Sequence, residues 1–354
     1  EVACLERAVW HLLRHHDALR LRFRHSPTGW QQESAELPES APLTRIDLST
    51  LAGAEHEDAF ATAAAELHRS LDLQDGPLLR VALFERGEQR PAWLLIVIHH
   101  LVVDGVSWPI LLQDLESLYE QVRQGVVEVV LPPKTTSFQS WATQLNRYAQ
   151  SDTLRQELDY WSTQVRAASA PLPRDVAGSG DNTVASACTL RVALSGTETR
   201  QLLQDVPAAY RTQVNEALLA ALGQVCTRWT GHHTLLVTVE GHGREEIIDG
   251  VDLSRTVGWF TSLFPLTMHL DPGASLDTAL QAVKAQWRRL PRRGIGYGLL
   301  RYLSGDTDMA RTLQALPHAD VLFNYLGQYD HLLAPTSRFT PAAPLLLSCS
   351  PRNP

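Results

Sequence analysis

Apolar residues recur at three- and four-residue steps over residues 2–19, where Val2, Leu5, Val9, Leu12, Leu13, His16 and Leu19 share one face and predict an amphipathic helix. A turn signal at Ser26-Pro-Thr-Gly29 follows, and Phe60, Ala63, Ala64, Leu67 and Leu71 mark a second helix over 54–71. The runs Pro77–Phe84 and Trp93–Ile98, separated by polar residues 85–90, predict a hairpin in a buried sheet whose second strand ends at His99-His100. Past a turn at Asp104-Gly105, Ser107 is placed to N-cap a helix with Ile110, Leu111, Leu115, Leu118 and Val122 on its apolar face. A strand end, a tight turn and a helix start therefore meet at one point.

Leu131-Pro-Pro-Lys is a break, and helices are expected over 137–150 and 153–167. Residues 168–182 are rich in Pro, Gly, Ala and Ser and form the expected linker. Beyond it come strand-like alternation over 183–194, helices over 197–206 and 212–229, and a strand over Thr234–Glu240. A strand over 259–270, a helix over 276–290, a Gly-rich turn at 294–298 and a strand over 320–325 complete the pattern. Helices and strands mix in both halves, so the expected class is α/β (α+β) in two lobes, 1–167 and 183–354.

The length of 354 residues is more than twice that of a typical single domain, and 44% apolar residues with nine Trp supply ample core. The net charge of −8 argues against nucleic acid or an anionic membrane as partner. The apolar run Ala92–Ile98 has seven residues, far below the roughly 20 that a membrane helix needs. No secretion signal is read in the opening residues, so the expected compartment is cytoplasmic. Cys4, Cys188, Cys226 and Cys349 lack metal-ligand spacing and are expected to be reduced.

Two constellations carry candidate chemistry. In His99-His100-Leu-Val-Val-Asp104-Gly105, an imidazole at the end of a strand can exchange a proton near neutral pH, and Gly105 permits a reversal that brings Asp104 beneath it. Adjacent strand residues face opposite ways, so His100 is assigned to the cleft and His99 to packing. In Glu240-Gly-His-Gly-Arg244-Glu-Glu, a carboxylate ends an apolar strand; partly buried, it could hold a proton at neutral pH. A satisfied strand end and a solvated acidic cap are the plain alternatives. The pair His11 and His15 lacks a third zinc ligand, the glycines at 294–298 lack dinucleotide spacing, and Ser107 is not in a hydrolase elbow.

These residues resemble a known family. His99-His100-Leu-Val-Val-Asp104-Gly105 is similar to the HHxxxDG motif of the condensation-domain superfamily of nonribosomal peptide synthetases. Val106-Ser-Trp108, Leu131–Trp141, Ala209–Asn215, Glu240–Glu245, Arg255–Thr261, Gly296–Gly298 and Phe323–Gly327 resemble the epimerization branch. Pro109 departs from that pattern, where Arg is usual. The family's opening motif and closing strands are not matched, so the chain resembles a fragment cut at both ends.

The resemblance implies two chloramphenicol acetyltransferase-like lobes in a V, with the active site in the tunnel between them. The implied substrate is an L-aminoacyl or peptidyl thioester on the phosphopantetheine arm of a carrier protein, epimerized at its α-carbon in antibiotic or other secondary metabolism. Neighbouring synthetase modules are implied partners, and no metal or cofactor is expected on the domain itself. His100 and Glu240 are the implied acid/base pair, with Glu240 as base toward the L-substrate. His99, Asp104, Gly105, Ser107, Trp108, Arg244, Arg255, Asn324 and Tyr325 are implied supports, Asp104 through an ion pair to Arg244 or Arg255. The alternatives are a condensation domain forming a peptide bond and a catalytically silent docking module.

Overall fold

The computed structural model describes residues 1–27, 29–52, 55–166, 171–175, 183–328, 333 and 336–342. They fall into two compact units, Glu1–Thr143 with Asp249–Phe260 and Gly327–Pro354, and Gln144–Ile248 with Thr261–Leu326. This partition corrects the expected lobes of 1–167 and 183–354. Residues 144–166 join the second unit because Ala149, Leu154, Trp161 and Val165 are buried in its core. Residues 249–260 join the first, for reasons given with the site below. Most of the expected linker, 168–170 and 176–182, lies outside the described residues, as does the tail beyond 342.

In the first unit, α1 (Val2–His15) buries Leu5, Val9, Leu12 and Leu13, as the heptad-like spacing predicts. β1 (Leu21–Ser26) and β2 (Gly29–Ser34) form an antiparallel pair across the predicted turn. β3 (Leu43–Asp47), which the sequence pattern does not reveal, runs parallel to β4 (Leu79–Glu85), and β4 pairs antiparallel with β5 (Trp93–Ile98) as the predicted hairpin. α2 (Glu55–Arg69) packs Phe60 and Ala64 against Phe84 and Ala82. The main core joins α1, β4 and α3 (Ser107–Arg123) through Leu5, Val9, Leu79, Val81, Leu111 and Leu115.

The chain then passes through α4 (Phe138–Ala149), α5 (Asp152–Arg155) and α6 (Leu158–Arg166). The second unit continues with α7 (Gly196–Arg200), α8 (Val206–Tyr210) and α9 (Val214–Thr230). Its sheet has β6 (Thr234–Gly241) at the centre, antiparallel to β7 (Ser262–His269) and parallel to β8 (Val321–Phe323). Leu235, Val237 and Val239 alternate into a core that includes Trp161, Phe264 and Met268. α10 (Leu276–Arg288), α11 (Ile295–Tyr302) and α12 (Thr307–Gln314) supply its helices from the C-terminal side.

Three expectations fail here for physical reasons. The alternating stretch at 183–194 has no strand partner among the described residues, and Leu190 and Val192 are 90% and 95% exposed. The glycines at 296–298 are not a turn but part of α11; a Cβ on Gly296 would lie 2.0 Å from the Glu157 carboxylate, so closeness of packing explains that glycine. The strand predicted from 259 begins only at Ser262, because the backbone of Gly258 and Phe260 bonds elsewhere. No helix among the described residues is long and apolar enough to cross a membrane. Cys4, Cys188 and Cys226 are free thiols, and Cys349 lies outside the described residues.

Candidate active site

β5 delivers the His motif at its C-terminal end. His99 is the last extended residue, and its backbone N–H donates to Leu78 O at 2.9 Å. A 3-10 turn over His100–Val102 follows, so a helical turn rather than strand alternation directs His100. The His99 Nδ1 accepts from Leu101 N at 3.2 Å, which caps that turn and requires an unprotonated nitrogen. Burial, reinforced by the neighbouring His100, lowers the His99 pKa and keeps the ring in that form. His99 is therefore a half-buried imidazole that caps its own turn, while His100 is exposed.

Asp104 is 3% exposed, and its carboxylate ties its own motif to the 249–260 segment. Its Oδ1 accepts from Ser107 N at 2.8 Å and from Ser107 Oγ at 2.7 Å, and its Oδ2 accepts from Phe260 N at 3.2 Å. The expected cap is thus inverted: Asp104 satisfies the first turn of α3, and Ser107 sits inside the helix. Ser107 Oγ also donates to Gly258 O at 3.1 Å and lies 3.2 Å from Gly258 N. These bonds draw residues 249–260 into the first unit. Gly258 is required there, since a Cβ would lie 2.4 Å from the Phe138 ring. Gly105 is exposed in the turn before α3, and Trp108 is half-buried and packs against the core.

Arg255 pairs with Asp114 of α3, not with Asp104, and Asp114 also accepts from His16 Nε2 at 2.9 Å. His15, His16 and Asp114 present ligand-type atoms within 4.8 Å of one another. Arg255 fixes a positive charge on that carboxylate, and Arg255 and Lys134 line the adjoining cavity of about 40 Å³, which disfavours a cation there. The group reads as a buried charge network that braces α3 against the 249–260 segment.

In the second unit Glu240 is half-buried at the end of β6, opposite Leu263 of β7 and on the face away from the core. Val239 pairs with Phe323, so Glu240 and Asn324 leave the sheet at the same end. Asn324 and Tyr325 lie just beyond β8 and are exposed. Arg244 is half-buried, and its backbone N–H donates to His242 Nδ1 at 3.0 Å. The structure therefore gathers His100, Asp104, Ser107 and Trp259 in the first unit, and Glu240, Asn324 and Tyr325 at one sheet end of the second.

Sequence pattern alone misses a second set beside Glu240. Arg292 and Arg293 both adopt left-handed φ, 42° and 52°; Arg292 pairs with buried Glu157 and Arg293 with Glu245 at 3.7 Å. His242 Nε2 lies 3.3 Å from the other Glu245 oxygen. Burial pushes the Glu245 carboxyl up, Glu246 adds to this, and His242 and Arg293 oppose it. An acid whose pKa is higher folded than unfolded binds more protons when folded, so it lowers stability as pH rises beyond the ordinary carboxylate range. Glu245→Gln is therefore expected to gain stability relative to the parent chain as pH is raised from about 4 toward 7. Urea melts at both pH values test this; a difference that shrinks as pH rises contradicts it.

The condensation-domain family model matches residues 1–344. The chain belongs to the condensation-domain family. This condensation-family chain is 48% identical over 341 residues to a linear gramicidin synthase of Brevibacillus parabrevis, covering 96% of itself but 4% of that protein. It is 42% identical over 335 residues to surfactin synthase subunit 1 of Bacillus subtilis, covering 93% of itself and 9% of that protein. The chain thus spans a small fraction of these relatives. Its fold matches the crystal structure of the epimerization domain from the third module of tyrocidine synthetase B, with a TM-score of 0.86 and 36% identity over 93% of this chain and 74% of that one. The first condensation domain of the calcium-dependent antibiotic synthetase shares the fold, with a TM-score of 0.67 and 22% identity over 92% of this chain and 72% of that one. The mixed helix and sheet architecture is that of condensation and epimerization domains.

Proposed function

We propose that this chain is the epimerization member of its family, acting on an aminoacyl or peptidyl thioester carried by the phosphopantetheine arm of a carrier protein in a nonribosomal peptide synthetase. The observation that carries this reading is the likeness to the tyrocidine synthetase epimerization domain, at 36% identity and a TM-score of 0.86. The Glu240-Gly-His-Gly-Arg-Glu segment supports it, since a carboxylate at the end of β6 supplies the second acid/base group that inversion needs.

Inversion breaks the α-C–H bond on one face and remakes it on the other. In this proposal Glu240 takes the α-proton of the L-substrate, the electron pair moves onto the thioester oxygen as an enolate, and His100 stabilises that charge or returns a proton to the opposite face. The reverse reaction exchanges the roles, so an L/D mixture results. Asn324 and Tyr325, beyond β8, are proposed to position the substrate, and Arg244 to support the Glu240 loop.

The test is to load an L-aminoacyl thioester on a phosphopantetheinylated carrier protein, add the chain in heavy water, and follow deuterium at the α-carbon together with chirality. Deuterium entry with D-product is expected, and His100→Ala and Glu240→Gln should each slow it at least about a hundredfold. A folded chain that gives no exchange but forms a peptide bond with an acceptor thioester would instead make it a condensation domain, with Glu240 dispensable. A folded chain with neither activity would leave a docking module.

A further inference from the structure

A catalytic imidazole has two rotatable side-chain bonds, and a productive site must hold it to within a small fraction of its free range. A hydrogen-bonded carboxylate commonly does this, but Asp104 is committed to Ser107 and to Phe260 N. Among the described residues the His100 imidazole has no hydrogen-bond partner. Among the described residues its ring neighbour is Trp259, with centroids 5.4 Å apart and planes inclined at 65°, the edge-to-face geometry that aromatic pairs favour.

The backbone on both sides of Trp259 is anchored. On one side Gly258 is bound through both N and O to Ser107 Oγ, and Val257 is buried in the core. On the other, Phe260 N is bound to Asp104, and the Phe260 ring packs on Phe138 at 5.2 Å and Trp141 at 6.4 Å. Ser107 and Asp104 belong to the same motif that carries His100. The backbones that carry the indole and the imidazole are therefore joined in one frame through shared anchors. Flanked by buried neighbours, Trp259 remains 42% exposed, and a large apolar ring kept out of a core that accommodates both its neighbours points to use at the surface.

We infer that Trp259 is a positioning residue, whose indole sets the orientation of the His100 imidazole in place of the carboxylate that such a histidine usually has. The inference takes from the proposed function only that His100 performs proton chemistry. A 1 Å displacement of a reacting group costs up to about a hundredfold in rate, so Trp259→Leu should lower kcat for α-proton exchange by roughly ten- to a hundredfold, with KM nearly unchanged. Trp259→Phe, which keeps an aromatic edge, should recover most of it.

The second measurement needs no turnover. In spectra of the full chain with isotope-labelled histidine, the His100 ring signals, assigned by their absence in His100→Ala, should move when the indole ring current is lost in Trp259→Leu and move less in Trp259→Phe. Unmoved ring signals in a folded variant overturn the inference, as does a loss confined to KM, which would make Trp259 a wall of the substrate site. Should Trp259→Leu fail to fold, Trp259→Phe and Trp259→Tyr provide the same comparison. Shifted ring signals in a chain that shows no exchange would support the positioning role while rejecting epimerization, so the two failures are distinguishable.

Discussion

Asp104→Ala is expected to destabilise the first unit by about 3–5 kcal/mol, the range for removing one member of a buried, hydrogen-bonded charged arrangement. The carboxylate is 3% exposed and accepts from Ser107 N, Ser107 Oγ and Phe260 N. Its removal takes a charged acceptor from Phe260 N and from both Ser107 donors, which keep only the Asp104 and Gly258 carbonyl oxygens, and it unties the first turn of α3 and the 249–260 segment together. Asp104→Asn, which keeps the shape and one acceptor oxygen, should cost less. Denaturant melts give the magnitude, and amide hydrogen exchange gives the place: Ser107 and Phe260 should lose protection before the amides of α1. Activity should fall with it, because His100 and Trp259 rest on the same anchor. A loss below about 1 kcal/mol would mean that the contacts are made without net gain.

Phe264→Ala should destabilise the second unit by a comparable 3–5 kcal/mol, as about expected for a buried ring truncated to a methyl. Phe264 is 1% exposed, and its ring lies 6.4 Å from Trp161 and 6.2 Å from Trp287. It also fills the space against Gly294, whose φ of 95° and 2.2 Å clearance for a Cβ leave no room for a side chain. The cavity left by truncation is walled by two tryptophans that pack elsewhere as well, so the site cannot collapse cheaply. Because Leu263, the adjacent residue, pairs with Glu240, the α-proton exchange proposed above should fall in step with the melt. Phe264→Leu, closer in volume, should cost under about 2 kcal/mol. Equal losses for both variants would show that ring packing is not what Phe264 contributes.

Elements whose apolar stripe repeats over many residues were legible from the sequence. α1, α3 and the β4–β5 hairpin stand where the spacing of leucines and valines puts them, and the candidate residues lie near the strand ends that the pattern marks, His100 two residues past β5 and Glu240 one residue before the end of β6. β3 escaped notice because it is short, half-exposed and stabilised by a parallel neighbour more than thirty residues away, a partner that no local pattern reports. The Asp104–Ser107 arrangement was inverted for a similar reason. Spacing shows that a capping residue is present but not which of two polar residues accepts, and here the choice is made by Gly258 and Phe260, about 150 residues downstream. The same residues defeated the strand assigned to 259–270: the run is apolar and alternates, yet the first part of it answers to a different unit. Trp259 was concealed with it, since alternation assigns its indole to a core. The division of the chain failed at 144–166, where Trp161 and Val165 carry the pattern of any amphipathic helix and only packing reveals which core they fill.

The return of residues 249–260 to the first unit also sets an order in time. Synthesis runs from the N-terminus at roughly 5–20 residues per second, so the segment that satisfies Ser107, Asp104 and Asp114 emerges on the order of ten seconds after residue 143. Throughout that interval the nascent chain carries the His motif on an α3 that lacks its brace, with Asp114 awaiting Arg255. Maturation of the histidine site is thereby tied to translation of residues 249–260, and a message broken ahead of the codon for Phe260 yields a first unit unable to assemble it.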